Sequence, residues 1–399
     1  KVATLTAAQA RLDDDGARMT PQRQPEMIVF SHLRWTFVWQ RPQHLISRLA
    51  RRRHTWFVEE PWPCDVAAPR LCSEGHGDVT RLWLEVPADD AHIPFDHPAA
   101  ASYGDELAQL LGEHDDLTVW LYTPMALSLG RALRPSTLVY DVMDDLASFR
   151  GASAALALRH RQALRESDVV FTGGRSLHRG VLHHRAQDTH LFASGVEPEH
   201  YSPARRLRQA RRANTDAQGR PVAGYVGVID ERVDLDLVAE LAAALPDWDV
   251  RMVGPLLKID PSTLPQAPNL TYPGPVHYAD LPATMAGFDV ALMPFALNEA
   301  TRSISPTKTL EYLAAGLPVV STRVPDVVAD HSAVVELEDD GEGFAAACRR
   351  SRRVSASRDT AVRSVLSRHH WDTIAHQMDH LMEAAGSGIG AAASREDTG

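Results

Sequence analysis

The stretch Ser303-Ile304-Ser305-Pro306-Thr307-Lys308-Thr309-Leu310-Glu311-Tyr312-Leu313-Ala314-Ala315-Gly316-Leu317-Pro318-Val319-Val320-Ser321-Thr322-Arg323 holds a helix start, a helix stop and a buried strand in one short run. Ser305 is a favourable N-cap, and Pro306 suits the first helical position, where a missing N–H costs nothing. The helix then opens at Thr307 and Lys308, with free backbone N–H groups and a partial positive charge facing outward. Such an end accepts a phosphate, and Lys308 adds a full charge beside it. Glu311 follows Thr307 by four residues and sits one turn deeper on the same face. A carboxylate there can accept hydrogen bonds from both hydroxyls of a ribose, as acidic residues do in dinucleotide sites. Gly316 ends the helix, and Pro318-Val319-Val320-Ser321 begins a buried strand. An ordinary capped amphipathic helix carries the same residues, so the surrounding pattern has to decide.

That pattern is an alternation of short β-rich apolar runs with helical stretches. In the first half the runs are Met27–Phe30, Thr55–Glu59, Leu82–Val86, Thr118–Tyr122, Thr137–Met143, Asp168–Thr172 and Thr189–Ala193. In the second they are Val222–Val228, Trp248–Gly254, Asn269–Gly274, Asp289–Phe295, Pro318–Arg323 and Val334–Glu338. Continuous apolar strands separated by helices imply parallel sheets covered on both faces. Two such sets imply an α/β chain of two doubly wound, Rossmann-like domains, with ligands at the carboxyl ends of the strands. We expect residues 26–201 to form the first domain, 202–220 the linker and 221–368 the second domain. Residues 369–384 should then form a last helix, with Trp371, Ile374, Met378 and Leu381 at helical spacing. Residues 1–25 and 385–399 are small and polar and are expected to be disordered. Lys1 in the place of Met points to a trimmed start.

Composition narrows the function. A length of 399 residues suits two domains better than one. The net charge of −11 argues against a general nucleic-acid binder, whose affinity comes from neutralised phosphates. Three cysteines, Cys64, Cys72 and Cys348, are too few and too scattered for a disulfide framework or a structural zinc site. The nineteen histidines show no ligand spacing with cysteines or acids, even at His183-His184 and His369-His370. No apolar run approaches membrane-spanning length and no hydrophobic signal core is present, so the cytoplasm is the expected compartment.

Against this background the Ser303–Arg323 stretch resembles the nucleotide-sugar site of GT-B glycosyltransferases, in particular the large retaining family four. The resemblance runs from about Met27 to Met382. Phe30-Ser31-His32 and Trp39-Gln40-Arg41-Pro42-Gln43-His44-Leu45 look like a bacterial subgroup that builds cell-surface polysaccharides and related glycoconjugates. Val139-Tyr140-Asp141-Val142-Met143-Asp144-Asp145 is a second match. Ser194-Gly195-Val196-Glu197 is similar to the family's Asn-Gly-Val-Asp ahead of the domain linker. The family pairs two glutamates eight residues apart; here Glu311 fills the second position and Ser303 stands at the first.

The resemblance implies roles for named residues. A basic residue in the loop after the first strand of the second half meets the donor diphosphate, which points to Gly227 and Arg232. A guanidinium suits that task because it binds phosphate oxygens bidentately and stays charged. A surface Arg232 paired with Asp234 or Glu231 is the plainer alternative. Gly254-Pro255 and the turn through Val276 hold the base through main-chain groups, since Gly and Pro at strand ends permit close approach. Ser305, Thr307, Lys308 and Glu311 complete the donor site.

On the acceptor side the resemblance points to Trp35, Arg41, His44 and Asp145. Arg41-Pro42 equally suits the opening of a helix. Asp141, Asp144 and Asp145 would repel one another, so a raised pKa or a cation partner is expected. Asp144 orients an acceptor hydroxyl or steadies the positive charge developing on the sugar, unless it or Asp145 simply caps a helix. No metal site is expected among the three. Arg48, Arg51, Arg52 and Arg53 suit a helix C-terminus with no partner, and a weaker membrane-surface role stays open.

The expected activity is thus a metal-independent sugar transfer from a nucleotide-diphosphate sugar, UDP being the expected nucleotide, with retention. Asp144, Arg232 and Lys308 carry the chemistry, and no cofactor is needed. The acceptor is a sugar, a lipid-linked group or a small molecule. A sugar-nucleotide epimerase on the same fold and a non-catalytic nucleotide-sugar-binding protein are the alternatives.

Overall fold

The computed structural model describes residues 25–386 apart from 88–89, 146–153, 214–218, 303, 305–306 and 353–355. The expected cap residues Ser305 and Pro306, as well as Ser303, therefore lie outside the described residues, as do nearly all of both expected tails.

Every apolar run named above contains a strand. The first half holds β1 (Glu26–Ser31), β2 (His54–Glu59), β3 (Trp62–Pro63), β4 (Arg70–His76), β5 (Val79–Val86), β6 (Leu117–Leu121), β7 (Thr137–Val142), β8 (Val169–Thr172) and β9 (Thr189–Leu191). They form one sheet in the order β3-β5-β2-β1-β6-β7-β8-β9, parallel except for β4, which pairs antiparallel with β5. The second half holds β10 (Val222–Val226), β11 (Asp249–Val253), β12 (Leu270–Gly274), β13 (Val290–Met293), β14 (Val319–Ser321) and β15 (Glu336–Leu337). Their order is β12-β11-β10-β13-β14-β15, all parallel. Central strands such as β6, β10 and β13 are buried at every position, because helices cover both faces and no side of the strand meets water. The order reverses between β1 and β6 in one sheet and between β10 and β13 in the other. Ligand crevices form at such reversals.

The β4–β5 hairpin was not legible in the sequence. β4 is an exposed strand, Arg-Leu-Cys-Ser-Glu-Gly-His, with no buried face to write an apolar pattern.

The chain crosses between the halves twice. At the first crossing the stretch expected as linker is mostly helix, Pro198–Ala213. Its arginines reach into the second half: Arg208 donates to the carbonyls of Phe288 at 3.0 Å and of Gly316, and Arg211 pairs with Asp289 at 3.0 Å. At the second crossing the backbone of Val196 pairs with that of His369 at 2.7 Å. A Cβ on Gly195 would come within 2.7 Å of the Trp371 ring, so only glycine lets the two crossings meet.

The last helix, Trp371–Gly386, lies against the first sheet rather than the second. Trp371, Ile374, Met378 and Met382 share a core with Met27, Leu45, Trp120 and Phe171. At about 1.5–3 kcal/mol for each fully buried apolar side chain, this contact holds the helix firmly to the first domain.

The basic run needs a correction. Arg48 pairs with Asp372 and Glu197, while Arg52 (2.6 Å) and Arg53 both grip the buried Asp379 of the last helix. Three of the four arginines are therefore partnered, and they join the two ends of the chain. No described helix is long and apolar enough to cross a membrane.

Candidate active site

The carboxyl ends of the two sheets face each other across a cleft of about 680 Å³. The first domain lines it with Trp35–Arg41 after β1, Asp144 after β7, Gly173 after β8 and Ser194 beyond β9. The second lines it with Gly227 and Arg232 after β10, Gly254-Pro255 after β11, Val276–Tyr278 after β12, Phe295 after β13, and Thr307, Lys308 and Glu311. Thus Trp35, Arg41, Asp144, Gly227, Arg232, Gly254, Pro255, Val276, Thr307, Lys308 and Glu311 meet in one space. Neither His44 nor Asp145 is on its wall.

The donor-side wall is built largely from backbone. Gly227 (φ 155°) and Gly254 (φ 149°) adopt conformations that side chains rarely take. A Cβ on Gly254 would lie 1.8 Å from the Gly227 carbonyl oxygen, and one on Gly227 would lie 2.0 Å from Lys308 Cε. The two turns therefore touch, with the lysine chain laid over them. Two tyrosines hold this layer: Tyr225 donates to Val228 O at 2.8 Å, and the Tyr312 hydroxyl accepts from Val226 N at 2.8 Å.

The helix that carries the lysine is short, Lys308–Ala314, and Thr307 caps it with no side-chain bond. Burial pulls the Lys308 pKa down, opposed by Glu311, and pushes the Glu311 pKa up, opposed by Lys308. A partly desolvated cation is poised to gain from an incoming anion.

Arg232 is gripped through Nε (3.0 and 3.1 Å) and Nη2 (2.8 Å) by the carboxylate of Asp230. Burial disfavours its charge, but Asp230 more than compensates and raises its pKa. Asp234 instead caps the helix Leu235–Ala244, accepting from Leu237 N. The partner was missed although it stands two residues before Arg232.

On the first-domain wall one carboxylate of the expected cluster has a cation partner and another a raised pKa. Asp141 is fully buried and takes Arg41 in a two-pronged pair, Nε and Nη2 each at 2.9 Å, while Arg41 Nη1 donates to Phe192 O at 2.8 Å. One of the three carboxylates is thereby neutralised, and Arg41 is tied to the ends of β7 and β9. Asp144 is pushed up to about 6, chiefly by burial; Arg232 across the cleft opposes the rise and Asp230 adds to it.

His44 is buried beneath the wall. It stacks on Trp371 (centroids 5.0 Å apart, 13°), meets Tyr278 edge-on at 5.4 Å and accepts from Trp39 Nε1 at 3.3 Å. Burial lowers its pKa to about 3. Tyr278 in turn donates to Glu197 at 2.8 Å and stacks flat on His200 at 4.0 Å. His44 therefore belongs to an aromatic joint where both crossings meet. Trp39 is five residues away, but Tyr278 and Trp371 come from distant segments that no local signal marks.

Among the described residues no group of three or more His, Cys, Asp or Glu is arranged to hold a metal ion.

Residues 220–352 match the family described as glycosyl transferases group 1. The chain is 26% identical over 315 residues to TuaH of Bacillus subtilis (strain 168), whose name assigns it to teichuronic acid biosynthesis as a glycosyltransferase. That match covers 71% of this chain and 77% of the relative. Among solved structures, Anabaena Alr3699/HepE in complex with UDP and glucose superposes with a TM-score of 0.64 at 15% identity, covering 90% of this chain and all of that one. A UDP-forming α,α-trehalose-phosphate synthase from Burkholderia xenovorans, in complex with glucose-6-phosphate, gives 0.63 at 13% identity, covering 90% and 99%. Residues 220–352 thus match glycosyl transferases group 1, within a chain that has the GT-B fold.

Proposed function

We propose that this chain moves a sugar from a UDP-sugar to an acceptor hydroxyl, with retention at the anomeric carbon and without a metal ion. The observation that carries the reading is the convergence of two cations, Arg232 and Lys308, on glycine turns at one wall of the cleft, with Glu311 beside them. The departing nucleotide carries the growing negative charge. Fixed cations in a partly desolvated site stabilise that charge without reorganising, and they gain further when water is expelled. Glu311 accepts from the ribose hydroxyls, and the Gly254-Pro255 turn holds the base.

Asp144 faces this wall from the other domain. Its carboxylate stabilises the cationic sugar as the bond to phosphate breaks. The leaving phosphate oxygen takes the acceptor's proton, so no separate base is required. The UDP in the Anabaena structure and the teichuronic acid name of the Bacillus relative support a UDP-sugar donor and a saccharide acceptor destined for the cell surface.

Turnover with a panel of UDP-, GDP-, TDP- and ADP-sugars tests the reading. Proton NMR of the product reads the anomeric configuration directly, and an inverted product would overturn retention. Activity should persist in excess EDTA. Complete loss, restored by manganese or magnesium, would refute metal independence.

A further inference from the structure

Away from the two crossings, the domains touch at a second place. Helix Arg175–Leu182 of the first domain begins after Gly173-Gly174, and Gly174 at its N-cap has no side chain to offer. The acceptor comes from the other domain. Asp326 Oδ1 takes the backbone N–H of Ser176 at 3.0 Å and the Ser176 hydroxyl at 2.6 Å, and Arg175 pairs with Asp330 beside it. Asp326 is 2% exposed, far more buried than a surface ion pair would require. Its helix, Pro325–His331, is wholly in the second domain.

Both ends of this contact lead to the cleft. On the first-domain side Gly173 lines the cleft and lies against the backbone of Met143, where a Cβ would meet Met143 Cα at 3.1 Å. Gly173 N also donates to Val142 O at 2.9 Å. Asp144 is the next residue along. On the second-domain side Thr322, just ahead of the helix, donates its hydroxyl to the carbonyl of cleft-lining Phe295 at 2.8 Å.

We propose that Asp326 is a positioning residue: it caps helix Arg175–Leu182 only when the domains are closed, and so couples closure of the cleft to the placement of Asp144. The idea rests on the proposed transfer for its kinetic consequence and on geometry alone for its structural one. An N-cap acceptor satisfies N–H groups at a helix start that would otherwise stay unpaired. Opening the cleft removes the acceptor, so the closed state gains what an ordinary cap gives a helix.

The test separates a latch from a mere cap. Asp326→Ala should lower kcat roughly fivefold to tenfold. Its UDP affinity should stay within about twofold, because Asp326 does not line the cleft. X-ray scattering with saturating UDP should show a larger radius of gyration than wild type. Asp326→Asn, which keeps the acceptor oxygen, should recover most of the kcat. The decisive variant adds Gly174→Asp to Asp326→Ala. Gly174 has φ −168° and ψ 166°, extended backbone that any residue adopts and the conformation of an N-cap, which puts the new aspartate at the capping position of its own helix. If Asp326 is a latch, the double variant melts like wild type yet stays open and slow. Recovery of wild-type kcat and compactness would reduce Asp326 to a structural cap and overturn the proposal. Scattering that is unchanged in Asp326→Ala would also overturn it, whether or not any donor is turned over.

Discussion

The two walls of the cleft are built by different means. The second-domain wall draws on several turns, but each device in it is set within a few residues: glycines at strand ends, one arginine held by a carboxylate two residues away, and a lysine at the start of its own short helix. The first-domain wall is assembled over distance. Arg41 reaches Asp141, His44 reaches Trp371 and Tyr278, and Asp144 is tuned by Arg232 from the other domain. Where neighbours in sequence make the site, a motif is enough to find it. Where distant segments make it, the same residue types turn out to be structural as often as functional.

The largest expected effect breaks the first wall. Asp141→Ala leaves the Arg41 guanidinium buried without its counter-charge, a loss of about 3–5 kcal/mol of stability. Equilibrium denaturation should show it, and a variant as stable as wild type would mean that the pair is not needed to hold β7 to the helix at Arg41.

Asp144→Asn should have the opposite sign. Burial raises the folded pKa from the usual 3.8 to about 6, so the folded chain holds this proton more tightly than the unfolded one. The stability Asp144 lends is full below pH 3.8 and is lost as the pH rises through 6. At pH 7.5 the wild type therefore carries a penalty of up to about 3 kcal/mol, which the asparagine removes. The variant should be the more stable at pH 7.5 and indistinguishable near pH 3.5, while turnover falls. Equal stability at both pH values would dismiss the idea of a strained carboxylate.

Lys308→Ala and Arg232→Ala probe the local wall. Each removes a cation proposed to face the diphosphate, worth about 1.5–3 kcal/mol, so UDP affinity measured by calorimetry should drop tenfold or more. Arg232→Ala should also melt lower, because it strands Asp230. Unchanged affinity in both would move the phosphate site elsewhere.

Glu311→Gln is the finest probe. The shape is kept and only the charge is lost, so donor affinity should fall by about 1–2 kcal/mol. Wild type should prefer UDP over its 2′-deoxy analogue, and the variant should lose most of that preference. Identical discrimination in the two would leave Glu311 as a helix residue with no ribose to hold.

The amino-acid order alone determined the two parallel sheets, since continuous apolar runs can be buried on both faces only between helices. It also marked Gly254 at a strand end and Lys308 and Glu311 on a short helix, and the structure brings all three to one cleft. The β4–β5 hairpin escaped because an exposed strand has no hydrophobic period to display. Tertiary structure alone decided the rest. Arg41 was open to either reading until Asp141 was found against it, and His44 became part of the aromatic joint only through residues at the far end of the chain. Asp326 carries no signal at all, being one acid on a short helix until another domain presents an uncapped N-terminus to it. Charge and hydrogen-bonding capacity are written in a side chain, but their use is settled by which distant group takes the place of water.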